Sequence, residues 1–494
     1  MTEGQYSTLT EWLRSVALGR AKHTAIVEGD TALSYEELEM RVGRIAGSLY
    51  QAGIGIGDVV ALVLPNGADF VAAFRAVISC GAVAVPLNPR YRPNELTTLL
   101  ETAGASLALV CLETKLQVQQ ALEKLRHPLP LLLCHEAACA APVDLEAVRI
   151  DPDTPAFYLF TSGTTGAAKP GGRTHRRVVR QMRGMLPLLQ LGEGDRFLGA
   201  APFSHATGLM FSVLFSQAAG ACLYPAARFE RRAIADLIQR EKLSVFVTVP
   251  SMFTTLAEAS FREVPDLGSL RWAMTSGAPM PPRLNRLFQH RFGPFVRQLY
   301  GTTETGTISM NLEPDIEATL ESQGRPLPWV EVKVTDRAGR VVAPGEIGEI
   351  CVRSETLFDG YVERDAPARQ TFRNGYYPTG DLGRQDDRGL LYLAGRVHEQ
   401  INKAGFKIDP AEVEEVLAGH PMVAEAAVVG EPTPYGDNRV KAVIVPLGPV
   451  TVDEIMAHCR SRLADYKVPS IIEFRAELPR SPSGKVRRGQ LRGP

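Results

Sequence analysis

Phe160-Thr161-Ser162-Gly163-Thr164-Thr165-Gly166-Ala167-Ala168-Lys169 is the stretch on which the reading of this chain turns. Small or hydroxylated residues run unbroken through 161–166 toward a single lysine. Glycines let a chain close around an anion with its N–H groups turned inward, and a lysine adds a point charge for phosphate oxygens. A flexible Ser/Gly linker has the same composition. Against it, the stretch follows an apolar, strand-like run at 156–160 and leads into a basic helical segment from Thr174. No Gly-Lys-Ser/Thr stands where a Walker A loop needs it, so the expectation is a nucleotide-phosphate loop of another kind.

The surrounding chain reads as alternating strands and helices. Ser34 with Glu37 forms a capping-box pattern, Leu38, Val42, Ile45 and Leu49 recur at helical spacing, and Gly53 is placed to stop the helix. Residues 59–64, 82–85 and 107–110 are continuous apolar runs, as strands buried on both faces require. Helical stretches near 70–78 and Glu95 separate them, and residues 245–249 and 272–275 resume the pattern after the phosphate loop. This repetition predicts doubly wound parallel sheets in an α/β fold. Beyond Glu331, Val332 and Val334 alternate with polar neighbours, and a turn at Arg337-Ala338-Gly339 precedes an apolar stretch at 347–352. That pattern predicts a small antiparallel β unit. After Gly395-Arg396 comes a helix from Asp409-Pro410 to Gly419, strands at 426–429, 440–445 and 471–474, and a helix at 455–463. The expected division is 1–395 and a small α+β domain at 396–494, with the boundary between Ala394 and His398.

Composition excludes several function classes. The 494 residues are 45% hydrophobic and 22% charged, and 54 basic against 55 acidic side chains leave a net charge of −1. No field of one sign draws such a chain to nucleic acid or anionic lipid. No apolar run reaches the roughly 20 residues that span a bilayer, and the polar N-terminus lacks a signal peptide's apolar core. Seven cysteines, an odd number without a CxxC pair, argue against a disulfide frame or zinc site and for the cytoplasm.

Four further polar clusters remain. They are Tyr300-Gly301-Thr302-Thr303-Glu304, Tyr376-Tyr377-Pro378-Thr379-Gly380-Asp381, Gly395-Arg396, and Pro479-Arg480-Ser481-Pro482-Ser483-Gly484-Lys485. Singly each has a plain structural reading, since turn aspartates cap helices and terminal lysines face solvent. In this order after the phosphate loop, they resemble the motifs of the ANL superfamily of adenylate-forming enzymes, in particular its acyl- and aryl-CoA synthetases. The resemblance runs from Ser34-Tyr35-Glu36-Glu37-Leu38 to Lys485. It implies a large N-terminal region and a mobile C-terminal domain turning about a hinge. It also implies a two-step reaction: a carboxylate attacks the α-phosphorus of Mg-ATP to give acyl-AMP and pyrophosphate, and a thiol then displaces AMP.

By the same resemblance, Thr161, Ser162, Gly163, Thr164, Thr165, Gly166 and Lys169 grip the β and γ phosphates. Glu304 holds Mg²⁺, and Thr303 donates to the α-phosphate beside Thr302. Gly277-Ala278-Pro279 and Tyr300 wall the adenine, Asp381 accepts the ribose hydroxyls, and Arg396 reaches the ribose or phosphate. Lys485 is the expected catalytic cation. His205 resembles a residue capping the acyl site, with Thr248, Ser251, Met252, Ser276, Gly301, Thr307 and Met310 as pocket neighbours. Few are charged, and Ala206, Gly208 and Gly301 are small, which favours a lipophilic or aryl acid. The phosphate loop departs from the usual Pro-Lys-Gly-Val continuation, reading Ala168-Lys169-Pro170-Gly171-Gly172. His398 stands at the hinge, where its ring could make rotation sensitive to pH. Ala404-Gly405 lies along the thiol tunnel. Arg173, Arg176, Arg177, Arg180 and Arg183 form a candidate basic patch for the charged nucleotide end of coenzyme A or for an acidic acyl carrier protein, whose phosphopantetheine would then be the thiol. Delivery of acyl-AMP to a carrier or partner enzyme, or a luciferase-like oxidation, are the alternatives to coenzyme A ligation.

Overall fold

The computed structural model describes residues 6–91, 93–146, 148–162, 168–358, 360, 372–397, 401–403, 406–408, 410–432, 438–463, 465, 467–481 and 484–492. They divide into two compact units, residues 1–332 with 352–377, and residues 333–351 with 378–494.

The first unit holds two sheets. In one, the strands run Leu131–Leu133, Leu107–Val110, Val59–Val63, Val83–Pro86, Pro155–Ser162 and Ala168–Thr174, parallel except for the last. Residues 60–63 and 107–110 have essentially no exposed surface, which is why their sequence is apolar without alternation. Tyr35–Gln51 is the capped helix expected from Ser34, with both halves of the capping box formed. The helix Ala68–Ser79 is buried all round, so it reads as hydrophobic on every face.

The second sheet of this unit has nine strands. Its six inner strands, Val296–Thr302, Trp272–Thr275, Val245–Thr248, Arg196–Gly199, Cys222–Pro225 and Thr24–Glu28, are parallel. Antiparallel strands close both edges: Thr31–Ser34 at one, Gly306–Met310 and Arg325–Pro326 at the other. Residues 24–34 thus belong to a sheet assembled mainly from residues 196–326, a pairing at long sequence range that local periodicity does not carry. One face packs on an aromatic core in which Phe253 stands between Phe246 and Phe288, with ring centroids 4.9 and 5.2 Å away.

Most residues of a four-stranded sheet in the order Val330–Thr335, Gly348–Ser354, Tyr377–Gln385 and Leu391–Arg396 fall in the second unit. That unit also holds a three-stranded sheet, Val423–Pro432, Asn438–Pro446 and Ile471–Phe474, with the helices Pro410–Ala418 and Val452–Arg460. Ile401, Val413, Val428, Ile444 and Ile455 form its core. The α/β class with a smaller α+β part is therefore as expected. The compact division groups the small β unit with the C-terminal residues, a different partition from the one drawn at the hinge motif.

Candidate active site

The phosphate stretch forms a β-hairpin. Pro155–Ser162 pairs with Ala168–Thr174, so that Thr161 opposes Lys169 and Ser162 opposes Ala168. Pro170, Gly171 and Gly172, the departures from the usual continuation, are strand residues opposite Phe160, Leu159 and Tyr158. The helix follows only after this return strand, as His175–Leu188 with Thr174 as N-cap. Gly163, Thr164, Thr165 and Gly166 lie outside the described residues.

Lys169, Gly171 and Arg173 alternate onto one face of the return strand. That face meets the turn bearing Thr303 and Glu304. Arg173 Nη1 donates to the Thr303 carbonyl at 3.5 Å. A Cβ on Gly171 would stand 3.5 Å from Phe358, whose backbone N–H donates to the Glu304 carbonyl at 2.7 Å. Thr302 closes the turn: its N–H donates to Thr305 Oγ1 at 3.0 Å, and its Oγ1 accepts from the Thr305 N–H at 3.2 Å. Thr303 and Glu304 are thereby held at the tip between Val296–Thr302 and Gly306–Met310, half-buried. A carboxylate on such a turn fits Mg²⁺, a hard cation that keeps waters and phosphate oxygens as its other ligands.

Gly277, at φ +87°, follows the strand Trp272–Thr275, and a Cβ there would meet only Val249, at 3.8 Å. Gly277, Ala278 and Pro279 are exposed, so a flat ring can approach their backbone. Tyr300 is 5% exposed and opposes Ser309. These segments lie at the carboxyl ends of parallel strands, where open α/β sheets bind ligands.

His205 sits in a tight loop, its Nδ1 accepting from the Thr207 N–H at 3.4 Å. Asn66 pins this loop: its Nδ2 donates to the carbonyls of Gly199 and Ala201 at 3.1 and 2.9 Å, and its Oδ1 accepts from the Phe203 N–H at 2.8 Å. A π-helical turn, Gly208–Leu214, begins immediately after it. Thr248, Ser276, Thr307 and Met310 are buried, Met252 is half-buried and Ser251 is exposed. Thr248 Oγ1 meets Met252 Sδ at 2.8 Å.

Two readings of small residues need correction. A Cβ on Gly208 would fall 2.2 Å from the Pro202 carbonyl oxygen, and one on Gly301 would fall 2.2 Å from that of Gly306. Backbone fills both spaces, so neither glycine opens room for an acid. The basic patch is also corrected. Arg173 is buried at 3% exposure, and the others are locally engaged. Arg176 pairs with Asp153, Arg180 with Glu355, Arg177 with the Glu355 carbonyl and Arg183 with that of Tyr6.

In the second unit, Asp381 and Arg396 are Cα partners on adjacent strands, and Arg396 Nε donates to Asp381 Oδ1 at 2.7 Å. The Asp381 carboxylate is buried while the Arg396 side chain is half exposed. Thr379 Oγ1 accepts from the Asp381 N–H at 3.1 Å, fixing the strand there. Lys485 is exposed on a turn closed by Ser481, whose N–H donates to the Lys485 carbonyl at 2.7 Å. Arg480 braces the turn through the Gly484 carbonyl at 2.6 Å and through Glu425 at 2.7 Å. His398, Ala404 and Gly405 lie outside the described residues.

Sequence reading missed Asn66 and the pairing of Arg173 with Gln181. Their only signal was polarity within apolar surroundings, which names no partner.

The hairpin bearing Lys169, the turn bearing Glu304 and the exposed Gly277 beside parallel strand ends make up the candidate site. The chain belongs to the AMP-binding enzyme family, matching it over residues 13–362, with the C-terminal domain of that family over 412–485. A feruloyl-CoA synthase from Amycolatopsis is 34% identical over 95% of both chains. The o-succinylbenzoate coenzyme A synthetase of Bacillus subtilis, solved with its acyl-adenylate, has a TM-score of 0.89 at 31% identity, over 97% of both chains. ATP-bound MatB from Rhodopseudomonas palustris has a TM-score of 0.89 at 27% identity, over 98% of both. The protein is thus an ATP-dependent, AMP-forming acid–thiol ligase of the acyl-CoA synthetase type. Among the described residues, no helix is long and apolar enough to cross a membrane.

Proposed function

We propose that this ligase activates a lipophilic or aryl carboxylic acid and passes it to coenzyme A. The observation that carries the reading is the Arg173 bond to Thr303, which sets the lysine-bearing strand against the Glu304 turn. Residues more than a hundred positions apart then face one triphosphate. A carboxylate attacking a phosphate is one anion approaching another, so fixed donors and cations are what the step needs.

In the first step the acid's oxygen bonds to the α-phosphorus and the α–β bridge breaks, releasing pyrophosphate. Thr161, Ser162 and residues 163–166 with Lys169 hold the leaving phosphates, and Thr303 steadies the α-phosphate. Mg²⁺ held by Glu304 would neutralise phosphate charge. Tyr300 and residues 277–279 flank the adenine, with Gly301 and Thr302 in the adjoining backbone. Asp381 accepts from the ribose hydroxyls and Arg396 orients it. Lys485, on a mobile domain of residues 396–494, supplies the cation for the pentavalent phosphorus and withdraws before the thiol attacks. His398 then serves at the hinge, and Ala404 and Gly405 admit the pantetheine. His205, Thr248, Ser251, Met252, Ser276, Thr307 and Met310 surround the acyl group. The aryl acids named for two of the relatives support this substrate class. The proposed compartment is the cytoplasm, where seven free thiols stay reduced.

The test is acid-dependent pyrophosphate release across a panel of aryl, fatty and amino acids, followed by mass spectrometry with coenzyme A or carrier protein as acceptor. An aryl or fatty acyl-CoA is the expected product. Release with amino acids alone, or acyl transfer to carrier protein alone, contradicts the proposal.

A further inference from the structure

We infer that Arg173, with Gln181, is a positioning residue that holds the Thr303–Glu304 turn in register with the phosphate hairpin during adenylation. The inference rests on the function proposed above and adds residues to it.

Three bonds form one bracket. Arg173 Nη2 donates to Gln181 Oε1 at 2.7 Å, Arg173 Nη1 to the Thr303 carbonyl at 3.5 Å, and Gln181 Nε2 to Thr307 Oγ1 at 3.2 Å. The turn is therefore gripped on both sides of Gly306. That glycine has φ +68°, and a Cβ on it would lie 2.6 Å from Gln181 Oε1 and 3.0 Å from each Arg173 terminal nitrogen. The bracket thus seats directly on the turn's backbone, and only glycine permits the approach. Arg173, Gln181 and Thr307 are 3%, 1% and 4% exposed. Charge-assisted bonds at such depth are stronger and more directional than at a surface.

The position of Arg173 in the chain gives the bracket its function. It shares a strand face with Lys169, and its strand continues into the helix that carries Gln181. A guanidinium has several donors in a rigid plane, so it can hold a glutamine and a carbonyl at once, which an ammonium does poorly. Misplacement of a catalytic group by about 1 Å can cost on the order of a hundredfold in rate. The bracket fixes the distance between two groups that must act on one triphosphate. Arg173 does not touch the reacting atoms.

The test uses the full chain in two variants. Arg173→Lys keeps the charge and loses the fork. Arg173→Met with Gln181→Leu replaces the Arg–Gln pair by apolar groups of similar volume but takes donors from the Thr303 carbonyl and the Thr307 hydroxyl, so folding of each variant is checked by its melting curve. Wild-type pyrophosphate release is measured first, and its absence sinks the function proposal rather than this inference. With wild type active, kcat for pyrophosphate release should fall by about tenfold or more in each folded variant, with KM for the acid within about twofold. Thioester formation from supplied acyl-AMP should stay within about twofold, because that step no longer uses the triphosphate. Folded variants that release pyrophosphate at the wild-type rate overturn the inference, as does equal loss in both half-reactions. Failure of both variants to fold assigns Arg173 to stability alone and also overturns it.

Discussion

Arg396 donates through Nε to Asp381 Oδ1 at 2.7 Å, across two antiparallel strands that place these residues directly opposite each other. Both were singled out as nucleotide contacts on separate motifs. Their pairing means that the arginine orients the carboxylate from one side. Replacing Asp381 by Ala should raise KM for ATP by about tenfold or more, since a carboxylate acceptor is lost from the ribose. Melting should barely change, because the arginine is half exposed and such ion pairs contribute little. ATP-dependence kinetics and a melting curve decide it. A large drop in melting temperature with unchanged KM contradicts the ligand role.

Lys485 is exposed on a braced turn and contributes nothing to a core. Lys485→Ala should leave the melting temperature unchanged and nearly abolish acyl-AMP formation. Thioester formation from supplied acyl-AMP should persist. Separate assays of the two half-reactions test this, and equal loss in both refutes the assignment.

His175 begins the helix after the phosphate hairpin with both ring nitrogens buried and without hydrogen-bond partners among the described residues. Burial pushes its ring down from 6.5 to about 4, with Glu11 opposing weakly. The unfolded chain therefore takes up a proton below pH 6.5 that the folded chain refuses. Stability should be full above pH 6.5, decline as pH falls toward 4, and level off below, a loss of about 3 kcal/mol at most. Followed across that window, wild type should lose melting temperature as pH falls relative to His175→Phe, which has no group to titrate there. Parallel curves contradict it.

Gly208→Ala drives a Cβ to 2.2 Å from the Pro202 carbonyl oxygen and 2.6 Å from that of Ala201. The loop carrying His205 must move, at about 1–3 kcal/mol of stability. Chemical denaturation should show that loss together with a fall in activity. A stable variant that merely prefers smaller acids would restore the idea that this glycine makes room for substrate.

Where the signal was local, sequence and structure agree. Ser34 and Glu37 specify their helix start within four residues, and the strand at 107–110 announces itself by apolar continuity. The return strand Ala168–Thr174 was hidden because Pro170, Gly171 and Gly172 are poor strand formers, overridden here by pairing with Pro155–Ser162. Arg173 looked like one of a basic run, since a string does not say which arginine turns inward. Gly208 and Gly301 looked like open space, because a missing Cβ can equally admit a neighbour's backbone. The bracket on Gly306 and the loop pinned by Asn66 depend on residues far apart in sequence, which no spacing pattern reveals.

The central claim is that these gathered groups direct an organic acid onto the α-phosphorus of ATP. Supplying an acid with both carboxyl oxygens as oxygen-18, then weighing the products, tests it most directly. AMP should carry one heavy oxygen after thioester formation, and pyrophosphate none. Label in the pyrophosphate, or turnover that yields ADP and labelled phosphate, would contradict the account.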